Sequence, residues 1–222
     1  MHRIALCALV ASCTSWSGPH PLLSSVTPSS GCDAQASVAL ILTGTGFSVE
    51  VLSALDDPTA VVPSVRLIDP SANATTFASA PDSSGDTLMI AVQGLGPATY
   101  DVEVVDPNAD GSANATDPAT TSTLAAALTI DPPPTAVSVM PPAATASSAT
   151  TLTIAGSAFL PTMTATLAAT PPVAATAVTV AADGKSATAT FDLTGTALGS
   201  YAITVDNRDG CTSTLASAFE AQ

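Results

Sequence analysis

The chain has 222 residues, which is enough for two small sandwiches of roughly 100 residues each or for one larger domain. Hydrophobic residues make up 46%, charged residues only 10% and aromatics 4%, and 18 Pro and 13 Gly interrupt the chain too often for long helices. The abundant Val and Thr suit pleated, half-buried strands. Four Lys and Arg against 18 Asp and Glu give a formal charge of -14, which repels nucleic acid and anionic lipid headgroups, so nucleic-acid binding is excluded.

In chain order, residues 1–12 read as an export signal: Arg3 supplies a positive charge, Ile4 to Ala11 is apolar, and Val10-Ala11-Ser12 places small residues before Cys13. This resembles the lipobox of bacterial lipoproteins. The resemblance implies cleavage before Cys13 and acylation of that residue, and two or more acyl chains make a stable membrane anchor. An ordinary secretory cleavage nearby is the alternative. Residues 13–23, including the only Trp, Trp16, lack alternation and read as a tether.

The chain then repeats itself. Leu40-Ile41-Leu42-Thr43-Gly44-Thr45-Gly46-Phe47 aligns with Leu152-Thr153-Ile154-Ala155-Gly156-Ser157-Ala158-Phe159. The segment from Gly85 parallels that from Gly184, Tyr100-Asp101-Val102 parallels Tyr201-Ala202-Ile203, and Ser122-Thr123-Leu124 parallels Ser213-Thr214-Leu215. Gly44 and Gly156 lie 112 residues apart, Tyr100 and Tyr201 101, and Ser122 and Ser213 91, so the first copy carries insertions between Phe47 and Gly85 and between Gly111 and Ser122. Residues 131–135, built around Pro132-Pro133-Pro134, form a semi-rigid linker between copies at 24–130 and 136–222. Short strands separated by Gly, Pro, Asn and Asp predict an all-β fold of two tandem immunoglobulin-like β-sandwiches.

Val26-Thr27-Pro28-Ser29-Ser30-Gly31, the Gly44-Thr45-Gly46-Phe47 turn, and Tyr100 in a strand closing on Asp106-Pro107-Asn108-Ala109-Asp110-Gly111 resemble the IPT/TIG family. The second copy departs where Ala158 replaces the later glycine, but retains Phe159 and Tyr201. Gly44 and Gly46 would permit positive φ or close backbone approach, Phe47 would cover the end of the core, and the tyrosines would serve as tyrosine corners rather than ligand platforms.

For catalysis the residue inventory is poor. The only histidines, His2 and His20, lie in the signal and the tether, so neither repeat supplies an imidazole base for a Ser-His-Asp, Cys-His or zinc site. Lys185, the lone lysine, sits in a turn where a solvated amine is expected. Fifteen Asp and three Glu offer carboxylate pairs, but with few rings to line a sugar cleft no enzyme is expected. One segment has cation-binding spacing: Asp106, Asn108, Asp110, Asn114 and Asp117 fall at positions 1, 3, 5, 9 and 12 of a calcium loop, with Gly111 at position 6. Pro107 and the missing flanking helices weigh against it, and an acidic turn is the plain alternative. No other cofactor is expected.

Once Cys7 leaves with the signal and Cys13 is acylated, Cys32 and Cys211 remain, one in each copy. In an immunoglobulin-like sandwich the turn after the first strand lies where the chain exits and the turn before the last strand lies where it enters. The two cysteines would therefore face each other across the proline linker. A bridge and a pair of free or intermolecular thiols both stay open, because sequence does not determine connectivity. The expected function is an exported, membrane-anchored, non-enzymatic binding or adhesion module of the cell envelope with a protein or glycan partner. The alternatives are a ligand-free spacer and an accessory carbohydrate-binding module.

Overall fold

A computed structural model describes residues 20–47, 50–54, 57–61, 63–79, 85–106 and 120–222. The expected signal at residues 1–12, Cys13 and Trp16 lie outside these residues, as do Asn108, Asp110, Asn114 and Asp117 of the calcium-like segment.

The first copy is built from β1 (Leu22–Thr27), β2 (Ser30–Cys32), β3 (Val38–Thr45), β4 (Glu50–Ala54), β5 (Asp57–Val61), β6 (Ser64–Ile68), β7 (Ala74–Ala78), β8 (Thr87–Val92), β9 (Ala98–Val105) and β10 (Thr121–Asp131). The sheet β1-β3-β8 faces the sheet β2-β10-β9-β6-β7. Their core follows from strict alternation: Val38, Leu40 and Leu42 of β3 and Leu88, Ile90 and Val92 of β8 point inward to meet Val65, Leu67, Val102 and Val104. The chain changes sheets within its first two strands, since β1 pairs antiparallel with β3 while β2 pairs parallel with the end of β10. The insertion after Phe47 contains the β4-β5 hairpin.

The second copy comprises β11 (Thr135–Met140), β12 (Ala143–Ala144), β13 (Ala149–Ser157), β14 (Thr164–Leu167), β15 (Val173–Ala174), β16 (Ala177–Val180), β17 (Ser186–Asp192), β18 (Gly199–Asp206) and β19 (Thr212–Ala221). Its sheets, β11-β13-β17-β16 and β12-β19-β18-β14-β15, repeat the first arrangement, including the parallel pairing of β12 with β19. Ala165, Ala187, Ala189 and Ala221 thin this core, and Phe191, Phe219 and Met163 fill it. Both copies are immunoglobulin-like β-sandwiches, and the fold is all-β.

Two expected boundaries move. The tether was expected to run through Leu23, but β1 starts at Leu22, because Leu23 is buried and its N–H donates to Ser122 Oγ at 2.9 Å. The linker was expected over 131–135, but Asp131 pairs with Cys32 and Thr135 pairs with Ser157, leaving only Pro132, Pro133 and Pro134 between strands.

The repeated motifs mark equivalent structural devices. Gly44 and Gly156 are glycines because an added Cβ would lie 2.2 Å from the Leu22 carbonyl oxygen in one copy and 1.9 Å from that of Thr135 in the other, with the following Phe ring tip at 2.5 Å in both. Phe47 and Phe159 cap their cores, and their N–H groups donate to the Gly85 and Gly184 carbonyls, each at 3.0 Å. The Tyr100 hydroxyl donates to the Gly96 carbonyl at 2.9 Å and that of Tyr201 to the Ala197 carbonyl at 2.6 Å, both four residues back, which is a tyrosine corner in each copy.

Candidate functional site at the junction

Strand register decides which ends of the sandwiches meet. In the first copy Leu22, Thr45, Val105 and Thr121 share one end, while Thr27, Ala98 and Ile130 lie toward the other. In the second copy Thr135 and Ser157 share an end, and Asp206 pairs with Thr212 and Thr164. The proline linker leaves the first copy at Asp131, beside Cys32, and enters the second at Thr135.

On the first side, the turn after β2 holds itself closed through Gln35. The Cys32 N–H donates to Gln35 Oε1 at 3.0 Å, the Gln35 N–H returns to the Cys32 carbonyl at 3.1 Å, and the Asp33 N–H donates to the Asp131 carbonyl at 3.1 Å. On the second side, the 206–211 turn is organised by short acidic and amide side chains. Asp206 Oδ1 accepts from the Arg208 N–H at 2.8 Å, and Asp209 Oδ1 accepts from the Cys211 N–H at 2.9 Å. Asn207 is buried, with Oδ1 accepting from the Leu160 N–H at 3.1 Å and Nδ2 donating to the Ala158 carbonyl at 2.8 Å.

These two turns touch. Cys32 and Cys211 are joined by a disulfide with Cα atoms 5.7 Å apart, across a sequence separation of 179. Gln35 packs so closely on Gly210 that a Cβ there would sit 2.0 Å from Gln35 Nε2. Gly210 also holds a φ of +98°, so its conformation calls for glycine, while a Cβ there would displace the end of the Gln35 side chain. Asp209 is buried beside the sulfurs, and among the described residues its Oδ2 has no hydrogen-bond partner. Burial, and then the charge of Asp209, push the Asp131 carboxyl above the usual carboxylate range.

Of the other sequence-derived candidates, Asp106 is buried at the end of β9, its N–H donating to the Thr120 carbonyl at 2.8 Å, six residues after Tyr100 just as Asn207 is six after Tyr201. It thus occupies the position of a loop-holding residue in the second copy, and the rest of the calcium-like segment lies outside the described residues. Lys185 is exposed in its turn. Sequence reasoning found the cysteines but not Gln35, Asp209 or Asp131. Asp209 reads in the sequence as a turn residue beside Cys211, and nothing local places it against a glutamine from the other copy.

No known family's sequence profile matches the chain, and no curated protein sequence matches it. Among solved structures it is similar to the full extracellular region of plexin A4, at 12% identity and a TM-score of 0.45. That match covers 95% of this chain and 19% of the plexin chain.

Proposed function

We propose that the chain is an exported, non-enzymatic binding or adhesion module of the cell envelope, anchored to a membrane through Cys13, with IPT/TIG-like sandwiches. The observation that carries this reading is the Cys32–Cys211 bridge, which joins the two ends that the proline linker already connects. Such a bridge persists in an oxidising compartment and holds two domains at a set angle, as a presenting arm requires. The glycine-Phe turns and the tyrosine corners support the IPT/TIG likeness.

A protein partner fits better than a glycan. Phe47, Phe159, Phe191, Phe219 and Tyr100 are spent inside the cores, whereas glycan platforms use exposed rings. With the anchor N-terminal to Leu22, the end of the first copy that bears Leu22 and Thr45 is the membrane-proximal one. The end bearing Met140 and Leu198, 63% and 73% exposed, faces outward.

The test is crosslinking capture from intact cells, with the captured species identified by mass spectrometry. A discrete surface protein recovered by the native chain and lost on Met140→Ser with Leu198→Ser is the expected result. Recovery of no partner favours the ligand-free spacer. The anchor is tested separately: Cys13→Ser should release the protein from membranes or leave it unprocessed, and membrane retention at mature size overturns that part.

A further inference from the structure

Asp209 presents an unusual combination. It is only 7% exposed, Cys32 and Cys211 are 1% and 4% exposed, and one carboxylate oxygen lies within 4.8 Å of both sulfurs, which themselves fall within that distance of each other. Its Oδ1 is engaged by the Cys211 N–H, whereas Oδ2 is an acceptor with no partner among the described residues. A buried, unpartnered carboxylate oxygen calls for a missing ion or proton. Asp131 lies near enough that the charge of Asp209, after burial, raises its carboxyl above the usual carboxylate range.

We propose that the reduced form of this junction is a binding site for a thiophilic divalent cation such as zinc, with Cys32 Sγ, Cys211 Sγ and the Asp209 carboxylate as ligands. The disulfide and the metal are alternative clamps on the same two sandwich ends. Opening the first takes a dithiol reductant: its two thiols give two electrons and two protons, the Sγ–Sγ bond breaks to two cysteine thiols, and the reductant closes to its own disulfide. The cation then forms two metal–sulfur bonds and one metal–oxygen bond, two protons leave to solvent, and water completes a tetrahedron.

The geometry needs little adjustment. Two thiolates on one tetrahedral zinc, each at about 2.3 Å, stand roughly 3.8 Å apart. Side-chain rotation can supply that separation from cysteines whose Cα atoms are 5.7 Å apart. Two soft sulfurs with one carboxylate select zinc, cobalt or cadmium over calcium or magnesium. A small recess lined by Cys32, Gln35, Val38, Val92, Leu95 and Ile130 lies on the Cys32 side of the junction.

The experiment uses the full chain with Cys7→Ser and Cys13→Ser, so that only these two thiols remain. The protein is reduced with dithiothreitol, desalted without oxygen and titrated with cobalt(II), following the thiolate-to-cobalt charge-transfer absorption. The expected result is saturation at one cobalt per chain, displacement by zinc, and no absorption from the oxidised protein. Asp209→Asn, which keeps side-chain size, should weaken binding at least about tenfold, and Asp209→Glu should recover part of it. Absence of the band in the reduced chain overturns the proposal, as does a reduced chain that has lost its far-ultraviolet β-sheet signal. Equal affinity in Asp209→Asn also overturns it, since the thiols alone would then be the site.

Discussion

Ala158 holds a φ of +56°, in the left-handed region where a Cβ is unfavourable, because its carbonyl must reach Asn207 and Phe159 must turn onto the core end. The first copy has Gly46 there, at +73°. Ala158→Gly should therefore stabilise the second sandwich by about 0.5–1 kcal/mol, read as a raised urea midpoint. The reverse holds at the close contacts. Gly44→Ala and Gly156→Ala should each cost about 2–3 kcal/mol, because the colliding neighbour is backbone, and thermal unfolding measures this. Tyr100 has a pKa raised above its usual 10.0, first by burial and then by the charge of Asp69. Since the folded value exceeds the unfolded one, its contribution is complete below the unfolded pKa and lost as pH rises through the folded one. Tyrosinate absorbance should show Tyr100 ionising after a free tyrosine. Tyr100→Phe should remove that late component and cost about 1 kcal/mol at neutral pH.

At the scale of strands, the last repeat motif is a clip between sheets. Ser122 Oγ of β10 accepts the Leu23 N–H at 2.9 Å, and Ser213 Oγ of β19 accepts the Ala136 N–H at 3.2 Å, so in each copy one serine ties the first strand to the opposite sheet. Both strands also bulge, with Ala126 and Ser217 at φ of 51° and 49°. In the first copy the Ala126 N–H freed by the bulge is taken by Asp101 Oδ1 at 2.7 Å. Ser122→Ala and Ser213→Ala should each cost about 1 kcal/mol. Because they sit in different sandwiches, the double variant should show their sum in denaturant unfolding, and a markedly larger loss would mean that the clips are coupled. On the outer face, Arg66, Glu103 and Thr123 make a cross-strand row from β6 through β9 to β10, which accounts for the burial of Glu103.

For the whole molecule the junction dominates. A bridge spanning 179 residues removes up to about 5 kcal/mol of unfolded-state entropy in the chain-entropy model. Cys32→Ser with Cys211→Ser should therefore lower the unfolding temperature and resolve one calorimetric transition into two, one per sandwich. A single unchanged transition would show that the copies are coupled without the bridge. Gly210→Ala should loosen the contact with Gln35 while leaving both cores intact, which small-angle scattering would register as a wider range of inter-domain angles at unchanged β-sheet content.

Much of this was legible in the residues themselves. Alternation in Val38-Ala39-Leu40-Ile41-Leu42 determined which side chains enter the core, because side-chain direction has period two in a strand. Self-alignment determined that two copies exist, because Gly44, Phe47, Tyr100 and Ser122 each perform a local task that recurs at Gly156, Phe159, Tyr201 and Ser213. Leu22 and Leu23 read as tether because their strand partner, Thr45-Gly44, is set by pairing across the sheet rather than by neighbours in sequence. Two cysteines could be counted, but their pairing was decided by the parallel addition of β2 to β10 and by the 206–211 turn, which bring residues 179 apart into contact. The unpartnered oxygen of Asp209 likewise exists only in three dimensions, since the same Asp-Gly turn in the open would be solvated and unremarked.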